Sequence, residues 1–173
     1  MIWKGAILGL GSEENLMESI EPIRYENGRP MLLGGLRRLH AYSESGSGIG
    51  DQWRQFQSID GIPGQLGTNV YGVMCGHSAD GFEYMCAVEV EDLAGLPDGL
   101  GRMRIQAQEY GVFEHRGPVS AIRRTWEGIL EWLANSDSYQ SAHKPDFEVY
   151  GETFDPVTYV GRVEIWISIS RKP

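Results

Sequence analysis

A glutamate and a tryptophan share one face of a predicted strand near the C-terminus of this 173-residue chain. The segment "GRVEIWISI", residues 161–169, is rich in β-branched and aromatic residues and predicts a β-strand. Because alternate strand residues face opposite sides, Glu164 and Trp166 lie together, and the other face is aliphatic and faces a core: Val163, Ile165, Ile167 and Ile169. A carboxylate beside an indole can hold a cation. Two interpretations stay open at this point, a half-exposed sheet surface and the floor of a pocket.

An internal repeat provides a second copy of this strand for comparison. The segments "YGVMCGHSADGFEYMCAVEV" (71–90) and "YGETFDPVTYVGRVEIWISI" (150–169) each begin with Tyr-Gly, have a turn-rich centre and end in an alternating strand. At a constant offset of 79 residues, Tyr71 matches Tyr150 and Met85 matches Glu164. An acid in one copy and a thioether in the other suit a pocket with one charged anchor and an adaptable apolar wall.

The elements upstream of each copy also correspond. A helix-like segment with a tryptophan precedes each hairpin, "GIGDQWRQFQSI" in the first half and "VSAIRRTWEGILEWL" in the second, and a strand-like segment precedes each helix. Each half is therefore strand, helix, strand, strand. We expect an α+β fold of two tandem repeats related by a pseudo-twofold axis, with antiparallel sheets, helices on one face and a ligand cleft on the other.

The repeats also define the expected domain organisation. Residues 1–20 are predicted to be an N-terminal arm, and residues 21–173 a single domain. Within that domain the repeats cover residues 21–90 and 103–170. A crossover loop rich in glycine, residues 91–102, joins them.

Composition excludes several classes of function. The net charge of −9 argues against a nucleic-acid partner, and no apolar run approaches the roughly 18 residues of a membrane span. The two cysteines, Cys75 and Cys86, are out of register for a disulfide across one hairpin, which favours a reduced, cytoplasmic protein. The four histidines lack metal-ligand spacing, and no cofactor motif is complete.

A run of about 60 residues resembles the GyrI-like, or AraC-type effector-binding, domains. The run is carried by "HRGP" (115–118), "TWEGILEWL" (125–133), "PDFEVYGETFDP" (145–156) and "VEIWISI" (163–169). The resemblance implies the duplicated fold and a pocket for bulky, often cationic, aromatic compounds. It also implies a buried glutamate on the last strand, the place that Glu164 occupies. No helix-turn-helix precedes the module, so we expect no direct DNA binding.

The expected function is binding of lipophilic, cationic aromatic molecules in a cleft between the repeats, as a stand-alone sensing or sequestering protein. The expected ligand-binding residues are Glu164, Trp166, Tyr71, Tyr150, Met85 and Phe147. Two alternatives stay open. The first is a hydrolase that detoxifies reactive electrophiles with Glu164 as acid or base, although no second catalytic group has an assured position. The second is a GyrI-type inhibitor that binds a protein. A homodimer is also compatible with the sequence.

Overall fold

The computed structural model describes residues 20–44 and 47–173. The N-terminal arm predicted at residues 1–20 therefore lies outside the described residues, apart from Ile20. Within these residues, two α-helices and nine strands occur in this order: β1 Arg24–Gly28, β2 Met31–Ala41, α1 Ser47–Gln57, β3 Gln65–His77, β4 Gly81–Val90, β5 Gly101–Ile105, β6 Gln108–Pro118, α2 Ile122–Asn135, β7 Tyr139–Ser141, β8 Asp146–Asp155 and β9 Val160–Arg171.

The sheet has the predicted internal symmetry. Its strands run in the order β1-β6-β9-β8-β3-β4-β2-β5, every pair is antiparallel, and β7 adds to the end of β9. One half of this order is β6-β9-β8 and the other is β2-β4-β3, and the inner strands β3 and β8 pair with each other. The predicted α+β fold with two strand-helix-strand-strand repeats about a pseudo-twofold axis is confirmed.

The two outermost strands cross between the repeats and curl the sheet. Strand β1 pairs with β6 of the second repeat, whereas β5 pairs with β2 of the first. Only residues 29–30 connect β1 to β2, and only residues 106–107 connect β5 to β6. Links of this length span about 10 Å. The opposite ends of the strand order must therefore come close together, and the sheet is a half-barrel.

The helices cover the convex face of this half-barrel. Helix α1 packs Ile49, Trp53 and Phe56 over the first repeat, as its apolar spacing predicted. Helix α2 packs Trp126, Ile129 and Leu133 over the second repeat, against the aliphatic face of β9: Ile165, Ile167 and Ile169. The core side predicted for the last strand is thus the side under α2.

A second core fills the concave face. Its buried residues come from strands at both ends of the sheet, which is possible only inside the curl: Met31, Leu33, Tyr71, Val73, Met85, Ala87, Ile105, Tyr110, Val112 and Phe147. We expected the ligand cleft on this face, away from the helices. Curling packs it with side chains instead, and a cavity of about 560 Å³ lies on the helix side. Among the described residues, neither helix is long and apolar enough to cross a membrane.

Candidate functional site

A buried carboxylate lies at the centre of the helix-covered face. Glu148 of β8 is only 4% exposed and accepts three hydrogen bonds. The Tyr150 hydroxyl donates at 2.8 Å, the Tyr84 hydroxyl at 2.9 Å and the Trp126 indole Nε1 at 2.7 Å. These donors come from β8, β4 and α2, so the cluster joins both repeats.

A glycine of the central strand makes room for this cluster. Gly72 of β3 pairs with Glu148 on one side and with Cys86 on the other. A Cβ atom at Gly72 would lie 2.1 Å from the Tyr84 hydroxyl and 2.5 Å from Glu148 Oε2. Any side chain there would block the contact between Tyr84 and Glu148 across β3. The cluster therefore requires a glycine at position 72.

Glu148 has no lysine or arginine partner within the described residues. Burial raises the pKa of the Glu148 carboxyl above its ordinary value, and the three donors and the charge of His115 only oppose that rise. An ionised carboxylate in this position is costly unless a cation approaches it.

The cavity of about 560 Å³ adjoins this cluster between α1 and the β8–β9 hairpin. The Tyr150 ring, whose hydroxyl binds Glu148, forms part of its wall and meets the Trp53 ring edge-on at 5.1 Å. Phe154 lies edge-on to Tyr150 at 4.9 Å. Trp53 Nε1 also donates to the Tyr84 hydroxyl at 3.2 Å. The lining residues are Gly50, Trp53, Arg54, Phe56, Gln57, Thr68, Val70, Val119, Tyr150, Gly151, Phe154, Pro156 and Tyr159.

Among the described lining residues, the charged side chain is Arg54 of α1. Its guanidinium is paired with Asp51 one turn earlier, and its side chain is 67% exposed. The charge of Arg54 is therefore compensated and hydrated at the rim, whereas Glu148 is buried behind the wall without a Lys or Arg partner among the described residues.

The structure divides the predicted ligand-binding residues between the two faces of the sheet. Tyr150 contacts Glu148 on the helix side. Tyr71, Met85 and Phe147 lie in the concave core, and Trp166 packs against it. Glu164 shares that face with Trp166, where Arg24 of β1 binds its carboxylate through two hydrogen bonds of 2.9 and 2.7 Å. Their roles in ligand binding stay predictions.

The repeat alignment places Tyr71 and Tyr150 at equivalent positions, but their positions in the structure are not equivalent. The two tyrosines lie on opposite faces of the sheet. Pairing irregularities interrupt both hairpins, between Met74 and Gly76 in the first and between Tyr150 and Phe154 in the second. The first adds one residue to β3 and the second adds two residues to β8, so the repeats differ by one residue there, which exchanges the two faces of the strand. A constant offset therefore aligns β4 with β9 correctly and misaligns β3 with β8.

Sequence reasoning missed Glu148, Tyr84 and Trp126 as site residues. One signal for Glu148 was present, because Asp146, Glu148 and Tyr150 alternate through "DFEVY" at residues 146–150. Such a face resembles a solvated one unless a helix is known to cover it. No group of three or more His, Cys, Asp or Glu side chains suited to a metal ion occurs in the described part of the chain.

Comparison with known proteins agrees with this architecture. Residues 30–169 match the Cass2 family, described as integron-associated effector binding protein. The chain belongs to this effector-binding family. Its fold is also that of SAV2435 in a structure bound to tetraphenylphosphonium. That structure aligns with a TM-score of 0.71 and 18% identity over 85% of this chain and 93% of the other.

Two further proteins are similar to this chain. The integron cassette protein VCH_CASS2 from the mobile metagenome of Vibrio cholerae aligns with a TM-score of 0.67 and 16% identity. That alignment covers 87% of this chain and 97% of the other. The transcriptional regulator BrlR of Pseudomonas aeruginosa is 28% identical over 130 residues, which are 73% of this chain. The chain thus spans about half of the length of BrlR, 48%.

Proposed function

We propose that this effector-binding protein takes a lipophilic aromatic cation into the cavity between α1 and the β8–β9 hairpin, with Glu148 as the counter-charge. The observation that carries the proposal is a fully buried carboxylate whose three donors are all neutral, next to an aromatic-lined cavity. The tetraphenylphosphonium complex of SAV2435, which has the same fold, supports it.

The shape and lining of the cavity suit this ligand class. A volume of about 560 Å³ is within the range of pockets for drug-sized molecules, roughly 300–1,000 Å³. The Trp53, Tyr150 and Phe154 rings offer π-faces and edges to an aromatic cation. A cation in the cavity recovers part of the desolvation cost of Glu148, whereas a neutral ligand of equal size gains only apolar burial.

The protein is expected to select its ligand by charge. Tetraphenylphosphonium and tetraphenylborate have the same shape and opposite charges, so their comparison isolates electrostatics. Because Glu148 has no Lys or Arg partner among the described residues and Arg54 is paired, we expect the cation to bind at least about 100-fold more tightly, measured by isothermal titration calorimetry at fixed ionic strength. Equal affinities, or tighter binding of the borate, would contradict the proposal.

A hydrolase is the second candidate, and one observation favours it. Burial raises the pKa of the Glu148 carboxyl, and Tyr150 donates to it at 2.8 Å, so a carboxyl and a phenol that can transfer protons adjoin the cavity. The test is product analysis by mass spectrometry after incubation with electrophilic aromatic compounds. Turnover that Glu148→Gln abolishes while binding persists would establish this function.

A further inference from the structure

The face that carries Glu164 holds a complete cation site that the chain itself fills. The Trp166 ring stacks on Phe147 at 5.5 Å with an interplanar angle of 19°, and the Tyr110 ring meets it edge-on at 5.6 Å. The guanidinium carbon of Arg24 lies over the Trp166 ring, 5.3 Å from its centroid. The Trp166 ring therefore contacts two other aromatic rings and one guanidinium.

The carboxylate of Glu164 completes this arrangement. Both of its oxygens accept from the terminal nitrogens of Arg24, at 2.9 and 2.7 Å. Trp166 Nε1 donates to the same carboxylate at 3.1 Å, and so does an Arg162 nitrogen at 3.1 Å. The paired, forked geometry matches a planar guanidinium and not a point-like ammonium.

The occupant comes from a strand at the edge of the sheet. Strand β1 has five residues and, among the described residues, pairs with β6 alone. Its side chains are mostly exposed, and the side chain of Arg24 is itself 36% exposed. Glu164 and Trp166 belong to β9, 140 residues further along the chain. The site and its occupant are thus separate elements of the fold.

We propose that Glu164 and Trp166 form a guanidinium-binding site that β1 fills in cis with Arg24. An external guanidinium cation, of the class represented by an arginine side chain, can take the place of Arg24. The site lies on the opposite face of the sheet from Glu148, so this inference does not rest on the proposed function. Tethering gives Arg24 an effective concentration in the millimolar range or above, which keeps external cations out of the wild-type site.

Removing the occupant exposes the site to a test by chemical rescue. The probe is methylguanidinium, titrated into Arg24→Ala at constant ionic strength. The reporter is the indole N–H resonance of Trp166, whose hydrogen bond to Glu164 changes with occupancy. We expect saturable binding to Arg24→Ala, at least tenfold weaker binding to wild type, and at least tenfold weaker binding of methylammonium.

Matched variants make each result decisive. Arg24→Ala combined with Glu164→Gln should lose the saturable response, and Arg24→Gln replaces the alanine variant if that one does not fold. The proposal is overturned if methylguanidinium binds wild type and Arg24→Ala equally, or if the double variant responds as strongly. It is also overturned if the Trp126 indole, which binds Glu148, responds instead of Trp166. The tetraphenylphosphonium affinity of Arg24→Ala should stay at the wild-type value, because that ligand is assigned to the other face.

Discussion

Replacing Glu148 with glutamine is expected to weaken tetraphenylphosphonium binding by about 100-fold, or roughly 3 kcal/mol. Glutamine retains the size of the side chain, and its oxygen can accept from Tyr84 and Tyr150, whereas its amide nitrogen cannot accept from Trp126 Nε1. The variant thus removes the charge and one acceptor, and the fold should persist because a buried carboxylate without a Lys or Arg partner is also removed. Isothermal titration calorimetry measures the affinity, and thermal unfolding checks that the variant is folded.

Glu164→Gln is the matched control for that variant. It makes the same chemical change on the neighbouring strand β9, at a carboxylate that Arg24 and Arg162 already neutralise. We expect its affinity for tetraphenylphosphonium to stay within about threefold of wild type. The neutral ligand triphenylphosphine oxide should bind wild type and Glu148→Gln alike. A large loss of cation affinity in Glu164→Gln with none in Glu148→Gln would instead support the anchor expected from the sequence.

Asp146→Asn is expected to remove a pH dependence of stability between about pH 4 and 7. Burial raises the pKa of the Asp146 carboxyl from 3.8 to about 6, against the hydrogen bonds from Ser168. Between these two values the native state binds more protons than the unfolded state, so the free energy of unfolding falls as pH rises. A pKa difference of about two corresponds to roughly 3 kcal/mol, fully expressed above pH 6.

Comparing wild type with Asp146→Asn isolates the contribution of Asp146 to the free energy of unfolding. Glu148 and Glu164 titrate in both, and their contributions cancel when the unfolding free energies of wild type and Asp146→Asn are subtracted at each pH. Urea unfolding at pH 4.5, 5.5, 6.5 and 7.5 supplies those values. The wild type should lose stability relative to the variant across this series. A constant difference would show that Asp146 does not keep its proton to about pH 6 in the folded protein.

The fold could be predicted because its signals are local. The apolar stripe on α2, with Trp126, Ile129 and Leu133 at helical spacing, predicts a helix with one buried face without any knowledge of the rest of the fold. The alternation from Val163 to Ile169 likewise specifies a strand with a buried face. Two copies of the same series of elements then imply the pseudo-twofold arrangement. What the alternation could not show is that the second face of β9 is also partly buried, since that depends on the curl of the whole sheet.

The site was harder to predict because it depends on distant partners. Arg24, which neutralises Glu164, is 140 positions away and belongs to a strand that crosses to the other repeat. Glu148 gains its environment from Tyr84 and Trp126, which become neighbours only after β3 and α2 are in place. The hairpin irregularities also reverse the face of Tyr150 relative to Tyr71. None of these contacts is indicated by residues at a fixed spacing in the sequence.

The position of a bound cation tests the central claim most directly. Tetraphenylarsonium has the shape and charge of tetraphenylphosphonium, and its arsenic gives an anomalous peak in a crystal of the complex. The account predicts one peak in the cavity lined by Trp53, Tyr150 and Phe154, on the same side of the sheet as Glu148. A peak beside Glu164 and Trp166, with the cavity empty, would contradict it.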